Sequence, residues 1–180
     1  MFLNLGNFSL AAPGEHSAGL GFGQVVLMGD YVKYFDNIIG LNLLYEYEAS
    51  ALFAIHSVIH YSSHTDTTGV NSLAIKGASP NLRINLAFFD KLSVYTMLGL
   101  GLYMIDETIG TLSGSGTTLG LNLGAGFDLS LDKHFKFGSA LSFHNVFSKT
   151  DSSTISDSTP SGLNIGGTFM SLFLNIMYVF

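Results

Sequence analysis

The chain contains no cysteine, no tryptophan, three prolines and a single arginine, Arg83. Without cysteine there are no disulfides, no thiolate metal sites and no thiol chemistry. Their absence is compatible with an oxidising compartment. Charge is also scarce: 11% of residues are charged, against about 25% in an ordinary soluble domain. The formal net charge of −6 argues against a nucleic-acid partner. Long apolar runs are missing too. No segment approaches the ~18 consecutive apolar residues of a transmembrane helix. Yet mean hydropathy is +0.40. Apolar residues spread over many short segments are what a membrane barrel built from strands needs.

What the chain does have is alternation. In the stretch 166–180 the even positions Met170, Leu172, Leu174, Ile176, Tyr178 and Phe180 are all apolar or aromatic, with Gly167, Ser171 and Asn175 among the odd ones. Period two marks a strand. A face this apolar, running to the end of the stretch, would aggregate at a soluble sheet edge but is at home against lipid. Other stretches repeat the pattern. Ile39, Leu41, Leu43, Tyr45 and Tyr47 alternate with Gly40, Asn42, Glu46 and Glu48. Leu82, Ile84, Leu86 and Phe88 alternate with Asn81, Arg83, Asn85 and Ala87. Leu98, Leu100 and Leu102 flank Gly99 and Gly101, and Leu119, Leu121 and Leu123 flank Gly120, Asn122 and Gly124.

Polar connections punctuate these strands. The stretches 62–79, 106–117 and 148–162 read as long loops, whereas Asp90-Lys91 and Asp132-Lys133-His134 read as tight turns. Long and short connections alternate, as in outer-membrane barrels with long extracellular loops and short periplasmic turns. Tyr45, Tyr47, Phe53, Phe88, Phe135 and Phe137 cluster beside the short turns, with Tyr178 and Phe180, as one interfacial girdle. Both chain ends then fall on the periplasmic side. Nine strand-like segments are visible, but single-chain bacterial barrels have an even number. One arrangement starts the barrel with residues 2–12 and gives 17–37 to the first extracellular loop. The other makes 17–28 the first barrel strand. The expected fold is an all-β, eight-stranded antiparallel transmembrane barrel, one domain over residues 1–180. No export signal is visible, so the chain is taken as the mature part, its signal peptide removed.

The stretches IGLNLLYEYEASALFAIHSVIHY, PNLRINLAFFDKLSVYTMLGLGLYMID, LGLNLGAGFDLSLDKHFKFGSALSF and FLNIMYVF together resemble the OmpW family of small outer-membrane barrels and, more loosely, the OmpA transmembrane domain. The end of the chain resembles the C-terminal signal of such barrels, which implies that Leu174, Ile176, Tyr178 and Phe180 are read by the barrel-insertion machinery. The OmpW resemblance also implies passage of small hydrophobic compounds as one role. The implied partners are outer-membrane lipid and lipopolysaccharide, with the protein a monomer.

Parity assigns the interior. Glu46, Arg83, Asp128, His56, His60 and His144 face inward as a polar cluster. An interior guanidinium requires carboxylates, and Glu46 and Asp128 are the candidates. An eight-stranded barrel is just wide enough for side chains to fill it, so the leading expectation is a plugged, structural or surface-exposed protein. A narrow channel for hydrophobic solutes is the second. The third is a lipid-modifying enzyme, raised by His60-Tyr61-Ser62, whose spacing suits a serine beside its base. Parity turns that pair inward and no acid accompanies it, so no catalytic residues, cofactor or metal are assigned. His56 and His60, about 13 Å apart along a strand, cannot chelate one ion alone.

Overall fold

The computed structural model describes residues 13–150 and 164–180. Eight strands close on themselves in chain order: β1 His16–Met28, β2 Ile38–Glu48, β3 Phe53–Thr65, β4 Ser72–Phe89, β5 Leu92–Ile109, β6 Leu112–Ser130, β7 Phe135–Thr150 and β8 Asn164–Val179. Every neighbouring pair is antiparallel, and β1 pairs with both β2 and β8. Closure removes every sheet edge, which is what allows backbone polar groups to cross lipid.

β8 shows how the residues choose their faces. Ser171, Phe173, Asn175, Met177 and Val179 are buried, while Leu172, Leu174, Ile176, Tyr178 and Phe180 are exposed. The exposed set is the more apolar of the two, the reverse of a soluble sheet. On β5 the outward series Val94, Thr96, Leu98, Leu100, Leu102 and Met104 gives an apolar band about 25 Å tall once strand tilt is included. Asp106 and Thr108 continue the same face beyond it. At the turn end Tyr45, Phe53, Phe135, Tyr178 and Phe180 are exposed, and Tyr47 and Phe137 are half-buried. His16 extends this ring by bonding the Tyr45 hydroxyl at 2.7 Å, and His134 by stacking on Tyr178 at 5.6 Å.

Three sequence expectations need correction. Residues 17–28 are not loop: they are barrel strand, paired on both sides. Their alternation is weak because the inward positions are Ser17, Gly19, Gly21 and Gly23, so only the outer face shows in the sequence. Residues 2–12, the other candidate first strand, lie outside the described residues, as does most of 148–162. The polar stretches 62–79 and 106–117 are largely strand. β3 runs to Thr65 and β4 starts at Ser72, while Gly110 (φ +61°) and Thr111 alone join β5 to β6. These strand ends are polar outside because they stand beyond the apolar band, but inside they carry the buried Leu73, Ile75 and Ile105. Finally, Phe88 does not join the outer girdle. A β-bulge between Asn85 and Ala87 makes Leu86 an extra residue and reverses the parity after it. Phe88 now pairs with Ser93 on the inner side, and Phe89 takes the exposed position.

The turns are locally determined. Asp132 accepts the backbone N–H of His134 and Phe135, which holds its carboxyl below the usual range. Asp66 does the same for the β3–β4 turn: Thr68 donates to it at 2.6 Å, and Val70 and Asn71 add backbone donors. Those bonds, the Thr68 hydroxyl first, again depress its pKa.

Candidate functional site: the barrel interior

The interior is built in layers. At the turn end a mouth of about 320 Å³ is lined by Glu48, Phe88, Lys91, Ser93, Lys133 and Lys136 among others. Its floor is an ionic layer centred on Arg83, which is 2% exposed. Arg83 Nη1 donates to Glu46 Oε2 at 2.7 Å and to Asp128 Oδ2. Nε donates to Asn85 Oδ1 at 2.8 Å and Nη2 to Ser93 Oγ at 3.2 Å. The guanidinium carbon stands 3.8 Å from the centre of the Tyr95 ring, a cation–π contact. His56 Nδ1 donates to Glu46 at 2.9 Å, and Lys136 Nζ reaches Glu48 and Glu46 at 3.4 and 3.7 Å. A buried guanidinium is stable only when its donors are matched in this way.

The next layer is uncharged. Asn81, Asn122, His60, His144 and Ser171 surround a void of about 20 Å³, room for about one water. The Tyr103 hydroxyl donates to Asn122 Oδ1, and His144 is bonded to Tyr103 at 2.8 Å and to Ser171 at 3.1 Å. Phe169 stacks on His144 at 4.3 Å and on His60 at 5.6 Å. Above lies an apolar layer of Val25, Leu27, Leu73, Ile75, Ile105, Val146, Ile165 and Phe169. The β1–β2 loop, residues 29–37, folds over it as a lid. Its 3-10 turn, Tyr31–Lys33, sends Tyr31 inward, and Phe35 follows one turn later. Asp36 N donates to Thr65 O at 3.0 Å, and Asn37 Oδ1 accepts Leu27 N at 3.0 Å, which ties the lid down.

The six polar residues grouped from sequence therefore divide. Arg83, Glu46, Asp128 and His56 form one ionic layer, whereas His60 and His144 belong to the neutral layer above. Leu174, Ile176, Tyr178 and Phe180 stand on the outer face of β8 and its end. Sequence reasoning did not single out Lys136, although its position between Phe135 and Phe137 signals an inward lysine. Tyr31 and Phe35 were missed because the stretch 17–37 reads as a ribbon rather than as strand plus lid. Ser62 lies 3.2 Å from His60 Nε2, whose other nitrogen meets Asn42 Oδ1 at 2.8 Å. This arrangement resembles a hydrolytic triad, but Ser62 is buried beside Ile75, in the barrel interior on the side away from lipid.

An apolar outer band, aromatic rings at the turn end and a filled polar-to-apolar interior define a small outer-membrane β-barrel. The family model described as outer membrane protein beta-barrel domain matches residues 1–169, and the chain belongs to that family. Its place is the bacterial outer membrane. Among curated protein sequences none matches the chain. Among solved structures, Ail, the attachment invasion locus protein of Yersinia pestis, in complex with the heparin analogue sucrose octasulfate, is similar at 19% identity. That match covers 94% of this chain and 100% of Ail, with a TM-score of 0.61. OprG from Pseudomonas aeruginosa is similar at 15% identity over 93% and 96% of the two chains, TM-score 0.62. Neisserial surface protein A matches at 8% identity over 92% and 97%, TM-score 0.61. At these identities the likeness is one of fold.

Proposed function

We propose that this barrel is a closed, monomeric surface protein whose lumen is a structural plug and whose loop end meets the exterior. One observation carries this reading: two different seals fill the interior in series, the Arg83 ionic layer and the Tyr31–Phe35–Phe169 apolar layer. Between them the described residues enclose a void with room for about one water. Planar-bilayer recording of the refolded protein tests it, with silence at both polarities expected. Steady unitary conductance would overturn the plug.

A second reading, entry of small hydrophobic solutes, is supported by the apolar outer half of the interior under a lid. Uptake of a hydrophobic probe into vesicles, raised by the barrel over empty vesicles, would favour it. The third, lipid hydrolysis, has less support because Ser62 is buried away from lipid; unchanged lipid A mass on expression is expected. Ail's polyanion complex does not suggest a polyanion partner here. Among the described residues the loop end carries Asp30, Asp36, Asp66, Asp106 and Glu107 against Lys33, Lys76 and Lys149. Outer-membrane lipid and lipopolysaccharide remain the proposed surroundings. The insertion machinery is the proposed reader of Tyr178 and Phe180, so Phe180→Ser should lower insertion in cells more than refolding in detergent. Equal cellular insertion of both forms would remove that role.

A further inference from the structure

The outer wall carries a groove of about 700 Å³ where β8, β1 and β2 meet. That is the size of a ligand site. Phe22, Ile39, Leu172 and Leu174 wall it with apolar surface, and the small Gly23 and Ser139 leave it depth. Its end nearest the loops is polar. There Gln24 stands on the lipid-facing side of β1, paired with Ile39 and Leu172, and Asn37 leads into β2. Both side chains are exposed. Asn37 Oδ1 already accepts Leu27 N at 3.0 Å, which leaves its amide N–H groups to donate elsewhere. Among the described residues nothing hydrogen-bonds the Gln24 side chain, although it stands between Ile39 and Leu172. A side-chain amide has an acceptor oxygen and two donor hydrogens. Left bare against hydrocarbon, it destabilises the barrel. The groove is thus polar toward the loops and apolar toward the membrane centre, the gradient of one outer-leaflet lipid lying head outward.

We propose that this groove binds a lipid whose acyl chain is amide-linked and carries a hydroxyl, the chemistry of the lipopolysaccharide anchor. The proposal rests on the loop end facing the exterior and adds to that reading a particular lipid and place. The lipid's amide carbonyl accepts from the N–H groups of Asn37 and Gln24. Its N–H or hydroxyl donates to Gln24 Oε1. A glycerophospholipid meets only half of this demand. Its ester carbonyls accept, but they have no hydrogen to give, so Gln24 Oε1 stays bare. From the amide the acyl chain runs toward Phe22 and Leu174, over Gly23 and Ser139. Recognition is by the amide rather than by phosphate, because the lid's one cation, Lys33, is held by Asp30 at 2.7 Å.

Native mass spectrometry of the refolded barrel tests this, with lipid A and phosphatidylethanolamine added in turn. One lipid A per barrel is expected to survive detergent removal under conditions that strip phosphatidylethanolamine. Gln24→Leu should weaken lipid A retention at least tenfold. So should Ser139→Leu, which fills the groove and leaves Gln24 in place, whereas Leu100→Ala on the far wall should not. Thermal unfolding in phosphatidylcholine vesicles gives a second readout. Gln24→Leu should be the more stable form there, and added lipid A should raise the wild type but not the variant. Absence of a lipid A adduct, or equal retention by wild type, Gln24→Leu and Ser139→Leu, overturns the proposal. A dimer lost in Ser139→Leu overturns it too and gives the groove to a second copy. Labelling of the loop end only in permeabilised cells would fail the orientation and leave the lipid A adduct in place, so the two readings fail separately.

Discussion

Replacing Arg83 with alanine probes the ionic layer most directly. The change removes the cation between Glu46 and Asp128 while both carboxylates stay buried, at 0% and 4% exposure. Breaking a buried pair from one side costs about 3–5 kcal/mol, and loss of the Tyr95 contact adds about 0.5–2 kcal/mol. Two features reduce the sum. Glu46 keeps His56 at 2.9 Å and Lys136 at 3.7 Å, and Asp128 lines the 320 Å³ mouth, where water can reach it. A net loss of about 3 kcal/mol is expected, roughly two orders of magnitude in the folding equilibrium. Urea titration in lipid vesicles measures it, folded and unfolded forms being separated by gel mobility without boiling. The variant should not conduct, because the apolar seal does not depend on Arg83. A loss below about 1 kcal/mol would show that the layer is solvated rather than dry, and the reasoning from burial would fail. A triple variant, Arg83→Met with Glu46→Gln and Asp128→Asn, should recover most of the loss, since the penalty lies in orphaned charge.

Because the chain lacks cysteine, single introduced thiols report position cleanly. A thiol at Val70, in the exposed β3–β4 turn, should react with an impermeant maleimide on intact cells, and one at Leu131 only after permeabilisation; the reverse pattern would invert the barrel. Ile75→Cys, under the lid, should be unreactive until Tyr31→Ala and Phe35→Ala are added; equal reactivity with and without those changes would deny the lid. Asp66 has a depressed pKa, so its contribution to the turn is complete above the ordinary carboxylate range and is lost as pH falls through the lowered value. Amide exchange at Val70 and Asn71 should therefore stay slow, once corrected for intrinsic rate, until pH drops below about 4, and exchange already fast at neutral pH would contradict the turn bonds.

Strand positions such as Leu98, Leu100 and Leu102 were legible because lipid demands an apolar residue at every second place, and the inward partners followed by parity. That rule also put Arg83 on the same side as Glu46 and Asp128. It failed where the period breaks or carries no contrast. The bulge at Leu86 inverts the faces of Phe88 and Phe89, and nothing in the composition of AFFD announces an extra residue. Along β1 the glycines give the inner face no signature. Beyond the lipid band the outer face of a strand turns polar, so 62–79 and 106–117 look like loop although the wall continues. The lid was hidden for another reason: Tyr31 and Phe35 are recognisable as core only once the apolar layer supplied by five strands is in place beneath them.

The glycine face of β1 bears on how the cylinder is sealed. A methyl group at Gly19 would stand 2.8 Å from the Met177 side chain, and one at Gly23 would stand 2.6 Å from the Phe173 Cα. At the joint between first and last strands, then, one partner is bare and the other supplies the bulk. Closing the cylinder pairs β1 with β8 from Ser17 to Met28. From Gly19 to Gly23 the inward positions of β1 carry no side chain, so that part of the joint can pair without side chains having to thread past each other; Val25 and Leu27, nearer the loop end, do project inward. Along the bare stretch the shape of the interior is decided by β8.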